Sequence, residues 1–408
     1  MSLVCTALTW PMWWRAQLDR LWTPAAPALQ RFQQALADEL GCPTDELLLY
    51  GAGRMGLYAW LDQLALQPGD EVILPAYTCV VVPNAAHFAG ATVRYVDIDP
   101  HTLTYDLPRL LEAVNARTRV LVLPANYGLP LLGLDTLRAR FPQLLLVADL
   151  AHALGSMPEP VLATRSLDAA FFSFEFSKCL TTGMGGALWV RDPELRKTLA
   201  SQRLQLPVFS LRQRLQLGMT VFSHLLAASG AVTLGRWTQG VLRRLGLLYA
   251  TSEELSGLRP AHYPLQLHTG AAHLGWQQLR AYAGTKQLRR EQAIAYQQAL
   301  AGLAGVRCMP VPDGAALLRF PLLLEGALAA RRKAIMQALQ EATGLPVGMW
   351  FNHVVHPVGS SGHGYVDGQC PQGEQVAATM LNLPLGRHVR LSAARLARLR
   401  QCLQEAQA

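Results

Sequence analysis

GDEVILPAYTCVVVPNAAHFAGATVRYVDIDP, residues 69–100, reads as strand, helix, strand. EVILPA (71–76) and TVRYVDI (92–98) are rich in β-branched residues, and VVVPNAAHFAG (80–90) between them is helix-compatible. Strands joined through a helix run parallel, because a tight hairpin turn reverses the chain and a crossover does not. The same rhythm continues outward. RVLVLPA (119–125), LLLVADL (144–150), AAFFSFE (169–175) and GALWVRD (186–192) are further strands, with DLPRLLEAVNA (106–116) and LDTLRARF (134–141) as intervening helices. Short buried strands alternating with helices predict an α/β fold, a mostly parallel sheet covered on both faces.

Upstream, RMGLYAWLDQLAL (54–66) is a helix preceded by Gly51 and Gly53. Downstream, residues 199–258 break the rhythm. LQLGMTVFSHLLAASGAVTLGRW (215–237) is largely apolar but is interrupted by His224 and Arg236, so it is not read as a transmembrane helix. Two readings stay open: a packed helical insertion, or an amphipathic element resting on a membrane. Residues 271–301 read as one long helix, 318–326 as a strand, 327–344 as a helix ending at Gly344, and 391–406 as a last amphipathic helix. This tail predicts a smaller C-terminal α/β domain.

The chain has 408 residues, 51% hydrophobic and 16% charged, which predicts a large core and excludes global disorder. The net charge is +8. Basic residues are scattered, with clusters at Arg243–Arg244, Arg289–Arg290 and Arg331–Arg332–Lys333, and no basic stripe is interleaved with aromatics. No nucleic-acid partner is expected; an anionic substrate or a membrane surface suits the charge. Seven cysteines lie far apart and without metal-ligand spacing, so reduced thiols in a cytoplasmic protein, and no metal, are expected. Cys179, beside Lys178, is either a reactive thiol or a small packed residue. The N-terminal residues lack an early basic region and a small-residue cleavage site, and are not read as a signal peptide.

In an open parallel sheet, ligands sit at the carboxyl ends of the strands. Asp149 ends LLLVAD, Ser173 and Lys178 lie at and beyond the end of AAFFSFE, and Tyr77 follows EVILPA. Gly53 precedes a helix whose first N–H groups suit a phosphate. Read singly, each has an ordinary explanation: a solvated lysine, a helix-cap carboxylate, a hydrogen-bonded serine, a core tyrosine. Together they describe a pyridoxal 5′-phosphate (PLP) site. Lys178 would form the Schiff base and move the substrate proton. Asp149 would keep the pyridine nitrogen protonated.

These segments resemble the DegT/StrS family of PLP-dependent sugar aminotransferases. The resemblance is carried by residues 69–100, NYGLP (126–130), ADLAHALGS (148–156), SLDAAFFSFEFSKCLTTGMGGALWV (166–190) and QCPQGEQVAATMLNLPLG (369–386). It covers most of the chain outside 1–40 and 199–258. It implies PLP fold type I with a seven-stranded-type sheet. The implied domains are 1–45, an N-terminal arm joining the small domain; 46–285, the large PLP-binding domain; and 286–408, the small C-terminal domain.

Carried over by position, the resemblance makes Lys178 the cofactor-binding lysine and Asp149 its pyridinium partner. His152 takes the place of a Gln or His near the ring hydroxyl, and Ser173 that of a phosphate ligand. Gly53, Arg54 and Met55 fall at the phosphate loop, and Tyr77 at the stacking aromatic. Glu175, His353 and His356 are candidate substrate contacts. Three departures stand out. Arg54 and Met55 replace small hydroxyl residues. Glu175 occupies a position that is often aromatic or His. The partner-subunit asparagine is absent from AHYPLQLHTGAAHLG (261–275), where His262, Gln266 or His268 would have to replace it.

The resemblance further implies a homodimer that takes an amino group from glutamate and gives it to a keto group of a nucleotide-linked sugar. Lys178 argues against the family's dehydratase branch, which carries histidine there. A non-sugar amine or keto substrate stays open. So does a non-catalytic, membrane-associated relative in polysaccharide assembly, with peripheral contact through 205–245.

Overall fold

The structure is a computed structural model that describes residues 7–156, 161–164, 166–228 and 232–407. Two helices, α1 (Trp10–Trp22) and α2 (Ala25–Leu40), lead into strand β1 (Leu47–Tyr50) and helix α3 (Gly53–Gln63). Then come β2 (Glu71–Pro75), the short β3 (Thr78–Cys79), α4 (Val81–Phe88), β4 (Thr92–Val96) and α5 (Leu107–Ala113). They are followed by β5 (Thr118–Pro124), α6 (Leu134–Arg140), β6 (Leu145–Asp149), β7 (Ala169–Ser173) and β8 (Gly186–Val190).

Seven of these strands form one sheet in the order β1-β8-β7-β6-β5-β2-β4. The run from β7 to β4 is parallel, as the strand–helix alternation predicts; β8 and β1 add antiparallel at one edge. The six strands expected between 71 and 192 all form, each within two residues of its expected start. The sequence reading missed β1, a run of four residues whose place in the sheet depends on Trp189 and its neighbours, far along the chain. The two central strands β5 and β6 are buried on both faces over most of their length, which explains their continuous apolar runs.

Helices α7 (Pro193–Gln205), α8 (Leu211–Ala228), α9 (Val232–Arg244) and α10 (Ser252–Leu255) make up the segment that breaks the rhythm. It is packed on one side: Val221 and Leu225 of α8 join Met12 and Ala16 of α1 and Leu274 in a small apolar cluster. The single long helix expected over 271–301 is instead two, α11 (Thr269–Leu279) and α12 (Tyr282–Leu300). Ala281 between them leaves helical geometry, with φ −120° and ψ 17°. The break lets α11 pack on α1 and α2 while α12 turns to the C-terminal sheet.

That sheet contains β9 (Val306–Cys308) and β10 (Arg319–Leu324), with α13 (Ala327–Ala330) and α14 (Arg332–Thr343) next in the chain. The two-residue β11 (Val355–His356), α15 (Pro371–Thr379), β12 (Met380–Pro384) and α16 (Ala393–Glu405) complete the described elements. β9, β10 and β12 form an antiparallel sheet with β10 at the centre. The α14 helix ends at Gly344 in a left-handed cap, as expected. One apolar cluster runs from Leu121 and Leu146 in the large sheet to Phe320 and Leu383 in the small one, so the two sheets share a core. The N-terminal arm, expected beside the small domain, packs α1 and α2 on α11, and Phe32 meets Phe174 edge-on at 5.5 Å.

A parallel pairing of β11 with β3 ties the C-terminal part to the carboxyl end of β2, aligning Val355 with Thr78 and His356 with Cys79. This strap forms one wall of the site.

Candidate active site

A cavity of about 430 Å³ opens at the carboxyl ends of β5, β6 and β7. Lys178, Asp149, His152, Ser173, Arg54, Glu175 and His356 all line it. Seven of the eleven expected site residues therefore meet in one place.

Asp149 is the last residue of β6, and its Oδ1 accepts the Ala151 N–H at 3.0 Å. Burial pushes its carboxyl up to about 6, against the Ala151 N–H and the Lys178 charge, which pull it down. Lys178 lies in the turn after β7. Its backbone N–H donates to the Glu175 carbonyl at 3.0 Å, and its Nζ sits 5.0 Å from the Trp350 ring centre. His152 is buried and held well below the ordinary histidine range, by burial first and then by Lys178 and His356. Its Nδ1 accepts the Tyr127 N–H at 3.3 Å, so the neutral ring carries its proton on Nε2. His356 is pushed down to about 3 by burial, then Lys178 and His353.

Arg54 stands in the first turn of α3, buried at the cavity wall. Its Nε and Nη2 both donate to the carboxylate of Glu254, in α10. Burial, the largest single effect, would lower the Arg54 pKa, but the Glu254 charge and its hydrogen bonds, with Tyr263 and Tyr249, together outweigh it and the net shift is upward. The Asn84 side-chain amide donates to the Glu254 backbone carbonyl at 2.5 Å, pinning α10 to α4. Sequence reasoning gave no sign of Glu254, because no local pattern links it to Arg54, 200 residues away.

Four expected residues do not line the cavity. Tyr77 is fully buried behind the wall, its hydroxyl hydrogen-bonded to that of Tyr127 at 2.8 Å. The chain bends at Ala76–Tyr77, and Cys79 lines the cavity instead. Gly53 supports the wall from behind. A Cβ there would lie 2.5 Å from the Phe172 carbonyl oxygen, and one on Gly186 would lie 2.1 Å from the Gly53 nitrogen. Glycine at both positions is what lets α3 start against β7 and β8. Met55 turns away, its sulfur accepting the Leu265 N–H at 3.4 Å. His353 is taken up by its own turn, where Nδ1 accepts the Val355 N–H at 3.2 Å, and its Nε2 lies 3.7 Å from Asp367.

Glu175 lines the cavity, but its carboxylate already accepts from the Ser177 N–H and hydroxyl, at 3.2 and 2.7 Å. That shapes the turn presenting Lys178. Of the residues weighed as replacements for the partner asparagine, Gln266 donates to the Leu204 and Leu206 carbonyls and His268 caps α11. His262 is exposed. Cys179 is buried in the main apolar cluster, which makes it a packed residue, and the six described cysteines form no disulfide; Cys5 lies outside the described residues.

The donor set fits PLP. The N-cap Ala52 gives α3 no side-chain acceptor, and while the Met55 N–H donates to the Ala52 carbonyl at 3.1 Å, the N–H groups ahead of it are left for an anion, beside the Arg54 guanidinium and the Ser173 hydroxyl. An amine, a half-buried carboxylate and a neutral imidazole line the same cavity.

The DegT/DnrJ/EryC1/StrS aminotransferase family matches residues 14–403. The chain is 27% identical over 368 residues to a dTDP-4-dehydro-2,3,6-trideoxy-D-glucose 4-aminotransferase of Saccharopolyspora spinosa, covering 89% of this chain and 86% of that protein. It is 26% identical over 374 residues to the spore coat polysaccharide biosynthesis protein SpsC of Bacillus subtilis, covering 90% and 87%. Its fold matches that of NtdA from Bacillus subtilis with bound cofactor PMP: TM-score 0.73, 18% identity, 98% of this chain and 83% of the other.

Proposed function

Because the chain belongs to the DegT/DnrJ/EryC1/StrS aminotransferase family, we propose that it moves an amino group from glutamate to a keto group of a nucleotide-linked sugar, using PLP held in this cavity. The observation that carries this reading is the joint placement of Lys178, Asp149, Arg54 and Ser173 on one cavity at the strand ends. When bound, the cofactor supplies an aldehyde and a protonated pyridine ring that accepts electrons.

The chain's own groups then have distinct tasks. Arg54, Ser173 and the first turn of α3 hold the phosphate by charge-assisted and N–H hydrogen bonds. Asp149 is raised by burial in the ligand-free protein. Asp149 would hold the N–H of the cofactor's pyridine ring, whose positive charge favours the ionised carboxylate. Lys178 would bond to the aldehyde carbon through Nζ, with the aldehyde oxygen leaving as water, and would take and return the proton at the reacting carbon. His152 stays neutral and offers an N–H donor. Both substrates are anionic. The reading includes a homodimer, in which the neighbouring chain supplies the contact that Gln266 and His268, engaged within their own chain, do not.

The test is an absorbance spectrum of the purified protein with PLP, then with excess glutamate. The expected result is a visible band that borohydride fixes onto Lys178 and that glutamate bleaches. A band that ignores glutamate rejects that donor. The absence of any band rejects the cofactor assignment.

A further inference from the structure

Between Glu194 and Glu253 the chain carries no acidic residue and eight Lys or Arg. The whole chain has 36 basic and 28 acidic residues, so everything outside this segment is balanced and the net charge of +8 resides within it. Most arginines of the other basic clusters serve the fold. Arg289 is buried and donates to the Leu317 and Leu318 carbonyls, and Arg331 and Arg332 donate to those of Ala406 and Ala377. In contrast, Arg212, Arg214, Arg243 and Arg244 are exposed, and none belongs to an ion pair among the described residues.

Apolar side chains accompany this charge. α8 buries Leu217, Val221 and Leu225 and exposes Leu211, Leu215 and Met219 at four-residue intervals. α9 backs onto α8 through Gly235, where a Cβ would lie 2.6 Å from the Ala227 Cα, and through the buried Leu242. Leu234 and Trp237 then face away, and Trp237 is 66% exposed. α1 lies against α8, with Trp10 and Trp13 at 5.5 and 5.9 Å from the Phe222 ring, and exposes Trp14, Leu18, Leu21 and Trp22, the last at 84%. Asp19 on α1 is held by Arg31 and His273.

We propose that this layer of α1, α8 and α9 is a docking surface for a bilayer containing anionic phospholipid. Exposed Trp and Leu interleaved with arginine match an interfacial position, where rings and aliphatic chains enter the headgroup boundary and guanidinium groups meet phosphates. No helix among the described residues is long and apolar enough to cross a membrane, so the contact is peripheral. A second copy is a poorer occupant, since a two-fold contact would set two segments of the same strong positive charge against each other. The inference is independent of the aminotransferase reading.

The test is co-sedimentation of the full chain with vesicles of phosphatidylcholine, alone or mixed with phosphatidylglycerol. Binding is expected only to the mixed vesicles, falling with salt and accompanied by a blue shift of tryptophan fluorescence. Replacing Arg212, Arg214, Arg243 and Arg244 together by Gln should weaken it on the order of a thousandfold. The pairs R212Q/R214Q and R243Q/R244Q, with circular dichroism to verify folding, keep the test valid if the fourfold variant unfolds. Equal binding to both vesicle types, or binding to neither, overturns the proposal. So does a Trp237→Asp variant that turns a lipid-free dimer into a monomer, which would assign the face to a second copy.

Discussion

Arg54 and Glu254 form a buried two-point ion pair across 200 residues of sequence, with Arg54 at the end of the cavity formed by α3. Each partner is expensive to bury alone. Arg54→Met or Glu254→Leu alone should therefore destabilise the fold by about 3–5 kcal/mol. Replacing both, as Arg54→Met with Glu254→Leu, should recover most of that loss. Thermal or denaturant unfolding of the two single variants and the double variant measures the coupling, and strict additivity would mean that the pair contributes nothing.

The same pair sets an anion already on Arg54. Glu254→Gln removes that negative charge while keeping the shape, and should tighten PLP binding by about tenfold, the effect of roughly one pK unit of like-charge repulsion. Titration followed by quenching of tryptophan fluorescence, with Trp350 on the cavity wall, reads this without turnover. Weaker binding would instead mean that Glu254 is needed to hold Arg54 in place.

Lys178→Ala should lower turnover on the order of 10³-fold or more, as loss of the acid–base group requires, and should abolish borohydride-stable attachment of the cofactor. Turnover comparable to the parent would remove Lys178 from the mechanism.

Asp149 gives a pH prediction with a definite sign. Its carboxyl is raised from 3.8 to about 6 by burial, so the ligand-free fold holds this proton more tightly than the unfolded chain. Stability from this group is fully present below about 3.8 and declines as pH rises to about 6. Relative to Asp149→Asn, the parent should lose about 2–3 kcal/mol across that window. His152 and His356, held below the usual range, act in the opposite direction, so the difference between the two proteins is the quantity to plot. A flat difference would contradict a buried, uncompensated carboxyl. Added PLP should reduce the difference.

Position separates the two C-terminal histidines. His356 lines the cavity and His353 does not. His356→Ala should alter KM for one of the two substrates, while His353→Ala should leave steady-state kinetics near the parent. Equal effects would show that the loop acts as a unit.

The strand–helix rhythm was legible from residues 70 to 192 because β-branched runs and helix-compatible stretches are local signals, and the parallel run of the sheet followed from their order. That order also placed Asp149, Ser173 and Lys178 at one edge, since parallel strands end on the same side. What the sequence could not determine was the set of partners brought from afar. Glu254 reaches Arg54 only after the helical segment folds back over α4. Cys79 takes the wall in place of Tyr77 because the chain bends at Ala76–Tyr77, and β11 selects His356 over His353 by pairing it with Cys79. Local patterning fixes which residues form an element and which face they share; contacts between distant elements depend on the register of packing, which no short stretch encodes.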